Sequence, residues 1–143
     1  MQYIKGEIFN KKSLIFKDGK CDTRIHGHPV VVLDYIDDID EVFYVKMISD
    51  VTKLAKSPSR YMIIKNTKAN GLDRPSLICL DEIYRGSEGV LSRGEISQSQ
   101  YIELIQRIYS LNTKNNNKDD VFKEWLDFIG EIDDYKTKAV NSW

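Results

Sequence analysis

Pro29-Val30-Val31-Val32-Leu33 and Phe43-Tyr44-Val45-Lys46-Met47-Ile48-Ser49 are the stretches on which the reading of the fold turns. The first is a continuous apolar run of strand length, which predicts a strand buried on both sides. The second alternates: Phe43, Val45, Met47 and Ser49 share one face, and Tyr44, Lys46 and Ile48 share the other. Working outward, Tyr3 to Phe9 and Ser13 to Phe16 are strand-like on either side of the turn signal Asn10-Lys11-Lys12, and Asp18-Gly19 marks a further turn. Tyr61 to Ile64 and Ser76 to Leu80 complete the set, with the turn dipeptide Asn70-Gly71 between them. Six strand-like segments within about 80 residues predict a small, highly curved sheet or barrel.

The period then changes to that of helices. Ser97-Gln98-Ser99-Gln100 has the capping-box pattern, and Tyr101, Leu104, Ile105, Ile108 and Tyr109 fall on one helical face. The polar stretch Asn112 to Lys118 ends that helix. Asp119-Asp120 caps a second one, whose stripe is Val121, Phe122, Trp125, Leu126 and Ile129, with Gly130 as its C-cap. Residues 131–143 read as a frayed polar tail in which Trp143 alone has reason to dock. The organisation expected is a domain over 1–111, an added helix over 119–130 and a tail over 131–143, in a mainly β fold with helices.

The chain has 143 residues, of which 41% are hydrophobic and 30% charged, which excludes a disordered or fibrous class. Two cysteines, Cys21 and Cys79, make no disulfide framework; with no signal-peptide pattern and no bilayer-length apolar run, a cytoplasmic protein away from membranes is expected. A net charge of -1 argues against a strongly basic nucleic-acid binder. The sum hides blocks, however. Residues 34–45 carry -5, and residues 46–74 carry +5 through Lys46, Lys53, Lys56, Arg60, Lys65, Lys68 and Arg74 against Asp50 and Asp73. Such a block is either a solvated mixed face or a site for a phosphate-bearing ligand.

Few local signals carry chemistry. His26 and His28 share one side of an extended chain, but Cys21 is the only third ligand nearby, so no metal or other cofactor is expected. The pair is either polar punctuation at a strand start, or His28 is a proton-transfer group, since imidazole titrates near neutral pH. Ser49-Asp50-Val51-Thr52-Lys53 after a strand end is either a turn or a phosphate contact. Asp81 and Glu82 are adjacent and point apart in extended chain, so Asp81 reads as structural.

Taken in order, these segments resemble the MazF/PemK/Kid toxins, whose fold also includes the RNA-neutralised ToxN and CptN toxins. The resemblance runs through Gly6-Glu7-Ile8-Phe9, Gly27-His28-Pro29-Val30-Val31-Val32-Leu33, Met47-Ile48-Ser49, Asn70 to Ile83, and Arg93-Gly94-Glu95-Ile96 before the helix. It covers residues 3–111. It implies an SH3-like barrel with packed C-terminal helices and metal-independent cleavage of single-stranded RNA by the RNA's own 2′-hydroxyl. The products are a 2′,3′-cyclic phosphate and a 5′-hydroxyl. His28 stands where many members carry a catalytic Arg, Ser49 matches the catalytic Thr/Ser, and Thr52 and Lys53 are spaced like the hydroxyl-and-lysine loop of the RNA-neutralised branch. Cys79 stands where the family has a further Arg. RNA contacts are expected from Lys46, Lys56, Arg60 and Arg74. The resemblance also implies a cognate antitoxin, a structured RNA slightly ahead of a small protein, in a homo-oligomeric or toxin–antitoxin assembly. Against it stands a non-catalytic SH3-like module binding RNA or peptide through its two Trp and eight Tyr residues.

Overall fold

Six antiparallel strands form one sheet in the order β4-β5-β3-β2-β1-β6. The computed structural model describes residues 5–12, 14–22, 27–87 and 91–141, and only the backbone at 37, 91 and 131–141. The strands are β1 (Glu7–Lys11), β2 (His28–Ile36), β3 (Glu41–Ile48), β4 (Tyr61–Ile64), β5 (Ser76–Gly86) and β6 (Leu91–Glu95), and the helices are α1 (Lys53–Lys56), α2 (Gln98–Lys114) and α3 (Asp120–Asn141). No helix among the described residues is long and apolar enough to cross a membrane.

The two deciding stretches form the centre of the sheet. Val30, Val31, Val32 and Leu33 are all fully buried, as a strand covered on both faces requires. Val31 and Leu33 join Phe43, Val45 and Met47 in the main core, under Leu104 and Ile108 of α2 and Phe122 and Trp125 of α3. Val30, Val32 and Tyr44 face the other way, against Leu14, Phe16 and Tyr84. The alternation predicted for residues 43–48 is therefore the alternation observed.

Where the elements differ from expectation, pairing partners are the reason. The first strand begins at Glu7 and runs through Asn10 to Lys11, because β2 and β6 bond to both of its edges and override the local turn preference. Tyr3 and Ser13 lie outside the described residues. Leu14 to Phe16 form no strand; a single bridge, Ile15 to Cys21, closes the Asp18-Gly19 turn, and the segment serves as a cover for the second sheet face. The sixth strand is instead Leu91–Glu95, whose Ser, Arg, Gly and Glu carry no strand pattern and which forms because β1 offers it an edge.

The capping box at Ser97 forms in both directions: Ser97 Oγ accepts from Gln100 N at 3.1 Å, and Ser97 N donates to Gln100 Oε1 at 2.9 Å. The helix then passes through Asn112 to Lys114. Asn112 is buried and fastens α2 to the sheet, its Nδ2 donating to the Leu80 and Ile108 carbonyls at 2.8 Å. Tyr109, placed on the core face by periodicity, is half exposed. Asp119 caps α3 as expected, accepting from Val121 N at 2.9 Å. That helix continues past Gly130 to Asn141; His26 and Trp143 lie outside the described residues.

The sheet's two outer strands are linked by the chain between β4 and β5. Its Ala69 carbonyl accepts from Glu95 N of β6 at 3.1 Å, and Arg93 Nη2 donates to the Gly71 carbonyl at 3.1 Å. Asn70, nearly fully buried, shapes this loop with its own side chain. Its Oδ1 accepts from Thr67 N and Leu72 N, and its Nδ2 donates to the Lys65 carbonyl.

Candidate nucleic-acid site

Antiparallel register decides which residues meet. Lys11 pairs with His28, Val30 with Lys46, Ile48 with Leu77, and Asn10 with Leu91. The ends of β1 and β3 therefore lie beside the starts of β2, β5 and β6, at one end of the sheet. An open cleft of about 720 Å³ occupies this end, lined by His28, Ser49, Asp50, Asp73, Arg74 and Arg93, together with Asn10, Gly27, Pro29, Met47, Ile48, Leu72 and Ser76.

His28 is the most constrained side chain there. It is buried, its Nε2 donates to the Met47 carbonyl at 2.6 Å, and its Nδ1 lies 2.7 Å from Asp22 Oδ2. A carbonyl has no hydrogen to give, so Nε2 carries the N–H, and Nδ1 and Asp22 share a proton between them. The Phe16 ring packs edge-on against the imidazole at 5.3 Å. A carboxylate orienting an imidazole is a familiar arrangement for proton transfer. In this geometry, though, the Met47 bond must open before Nε2 can serve a substrate.

Ser49 and Asp50 follow β3 into solvent. Asp50 Oδ1 accepts from Thr52 Oγ1 at 2.5 Å and from Thr52 N at 3.2 Å, which makes a tight turn ahead of the single-turn helix α1. The Thr52 hydrogen bonds, and secondarily the charges of Lys53 and Lys56, hold the exposed Asp50 carboxyl below the usual carboxylate range. Thr52, Lys53 and Lys56 are exposed on this turn next to the cleft and do not line it.

The other expected contacts divide. Arg74 lines the cleft. Lys46 is paired with Glu82 at 2.8 Å and lies over the Phe16 ring at 4.8 Å. Arg60 donates to Asp81 at 2.7 Å and rests on the Tyr61 ring; the Asp81 charge raises its already high pKa. Asp81 and Glu82 thus reach two different cations. A register shift lies here, with Val45 opposite Ile83 but Met47 opposite Ile78. Cys79, at the position where the resembled family carries an Arg, is buried, and burial pushes its thiol up to about 12.

Two residues that line the cleft, Arg93 and Asn10, and one behind it, Asp22, escaped the sequence reading. Asp22 is the partner of His28, six residues earlier, with no pattern marking it. Arg93 is the extra residue of a β-bulge, since Ile8 pairs with Gly94 and Phe9 with Ser92. A basic residue ahead of a glycine in a β-poor strand was the available signal. Asn10 looked like turn punctuation. Its Oδ1 is buried and accepts no hydrogen bond from any described residue. Among the described residues, no group of three or more His, Cys, Asp or Glu side chains is arranged to hold a metal ion. No protein-family model matches the chain, and no curated protein matches it either.

Proposed function

We propose that this chain is a metal-independent endoribonuclease acting on single-stranded RNA, an SH3-like barrel of the MazF/ToxN kind and the toxin of a toxin–antitoxin pair. The observation that carries this reading is the meeting of His28, Ser49 and Arg74 in one cleft, with Thr52 and Lys53 on the adjoining turn. The link between β4 and β6 through Ala69 and Glu95 supports the barrel. In the reaction, the RNA 2′-oxygen attacks the adjacent phosphorus, the bond to the 5′-oxygen breaks, and that oxygen takes up a proton. Ser49 and Thr52 donate to the phosphate, and Lys53 and Arg74 offset its developing charge. His28 or Lys53 moves the protons. Lys46, Lys56 and Arg60 extend the RNA path, and the protein is expected in the cytoplasm as part of an oligomeric assembly.

The test uses purified protein with a 5′-labelled single-stranded RNA in excess chelator. Cleavage should persist and leave 2′,3′-cyclic phosphate ends, and Ser49→Ala should slow it at least about 100-fold, the scale of a lost transition-state donor. Loss of cleavage in chelator, or an unaffected Ser49→Ala, would overturn the reading. His28→Ala and Lys53→Ala measured side by side divide the acid–base role, and a His28→Ala protein as fast as the parent removes His28 from it.

A structured RNA is the preferred antitoxin, because the Ser49-to-Lys53 turn and the second C-terminal helix are the features shared with that branch. Protein purified from its native host should then carry ribonuclease-sensitive material absorbing at 260 nm. A stoichiometric small protein without nucleotide indicates the other branch. The engagement of both His28 ring nitrogens and of the Thr52 hydroxyl favours a second reading, a binding module without catalysis. Absence of growth arrest on induced expression, together with no RNA cleavage, would establish it.

A further inference from the structure

We infer that Asn10 and Arg93 form a base-reading pair in the cleft that Ser49 also lines, selecting a keto base, guanine or uracil. The inference rests on the ribonuclease reading and deepens it.

Arg93 is placed there by construction rather than by chance exposure. It is the bulged residue between Gly94 and Ser92, and a bulge turns a side chain away from the direction its strand would give it. Its side chain is 22% exposed, and Nη2 is already held by the Gly71 carbonyl at 3.1 Å and by Asp73 at 3.3 Å. One nitrogen of the fork is thus fixed, and the guanidinium's other donors remain for a ligand in a set orientation. Asp73 beside it argues against a phosphate, because a second anion would meet a carboxylate. A neutral base edge does not.

Asn10 supplies the complementary demand. Its strand is paired on both sides, β6 runs beside it in the register Asn10 to Leu91, and Asn10 lines the same cleft as Arg93. The unbonded Oδ1 needs an N–H or O–H donor, which a phosphodiester lacks. The oxygen is shut off from solvent, and reaching it draws on rotation about the last side-chain bond, which is soft. Guanine and uracil satisfy both groups along one edge, with a carbonyl oxygen for the cation next to a ring N–H for the carboxamide. Adenine and cytosine reverse that order, with an exocyclic amine where guanine and uracil have the carbonyl and a ring nitrogen that accepts where theirs donates, so the amine meets the cation and a lone pair meets the carboxamide oxygen.

The experiment measures binding of uncleavable 2′-O-methyl octanucleotides U8, A8 and C8 by fluorescence anisotropy, so that chemistry does not enter. The parent should bind U8 about tenfold more tightly than A8 or C8, the size of one good base-edge contact. Asn10→Ala and Arg93→Gln should each bring the U8-to-A8 ratio down to about two. A parent preference for A8 or C8 overturns the inference, as does an unchanged ratio in Asn10→Ala. Asn10→Ala keeps the question answerable if Arg93→Gln disturbs the loop that it holds. If the parent binds none of the three, the ribonuclease reading falls as well; if it binds but the ratio resists both substitutions, only the base-reading pair falls.

Discussion

Gly71→Ala should destabilise this protein by about 3 kcal/mol or more and close down its cleft in the same step. Two effects add. Gly71 has φ +68°, where a side chain costs about 1–2 kcal/mol. An alanine Cβ there would also lie 1.9 Å from the Arg93 carbonyl oxygen, a distance that neither backbone can absorb without parting. Gly94 mirrors it, with its Cβ position 2.1 Å from the Ala69 carbonyl oxygen. The two glycines let the loop after β4 lie directly on β6, and the Glu95–Ala69 and Arg93–Gly71 hydrogen bonds depend on that approach. Since the loop also carries Asp73 and Arg74, pushing it off β6 moves the cleft's second wall. Urea denaturation of Gly71→Ala beside Gly130→Ala is the check. Gly130 lies inside α3 with open space around it, so alanine there should gain up to about 1 kcal/mol from helix propensity. A Gly71→Ala protein as stable as the parent would show that the loop does not rest on β6.

The contrast between these glycines explains what the sequence could reveal. Asn70-Gly71 is legible as a turn, because turn chemistry is local. That Gly71 is also a contact surface for Arg93, 22 residues away, is not local and leaves no mark in the chain. The same division runs through the fold. Residues 29–33 and 43–48 announce buried strands through period and composition, and their antiparallel register then puts the start of one beside the end of the other. The sequence groups His28 with Ser49 only through a resemblance; the register is the physical reason that they meet. Leu91–Glu95 has no such pattern and becomes a strand through its neighbour alone. The cations show the limit most clearly: charge counting treats Lys46, Arg60 and Arg74 alike, whereas Glu82 and Asp81 occupy the first two and leave the third on the cleft. Burial makes the opposite error visible. Asp34, counted into the acidic block of residues 34–45, is 4% exposed.

That aspartate anchors the second large effect. Trp125 is fully buried between α3 and the sheet, and its Nε1 donates to Asp34 Oδ2 at 2.8 Å across 91 residues of sequence. Trp125→Ala should cost about 3–5 kcal/mol, a large share of the 5–15 kcal/mol that holds a domain of this size together. Part of that cost is packing against Phe122 and the sheet, and part is the carboxylate left without its donor. A double-mutant cycle with Trp125→Phe and Asp34→Ala, each of which removes the hydrogen bond, separates the two, and a coupling near zero would mean that the hydrogen bond carries no weight. The pH dependence has a definite sign. Burial raises the Asp34 carboxyl above its ordinary value of 3.8, and the Trp125 N–H and Lys5, 3.4 Å away, only partly oppose the shift. A carboxyl raised by folding binds its proton more tightly in the native state. Its stabilising share is therefore complete below pH 3.8 and is lost as pH climbs through the raised value. Asparagine keeps the acceptor for Trp125 and has no proton to lose. Asp34→Asn should therefore gain stability relative to the parent as the pH goes from 4 to 7, read as converging or crossing urea midpoints. Midpoints that instead diverge against the variant over that range would mean that Lys5 and Trp125 outweigh the desolvation of the buried charge.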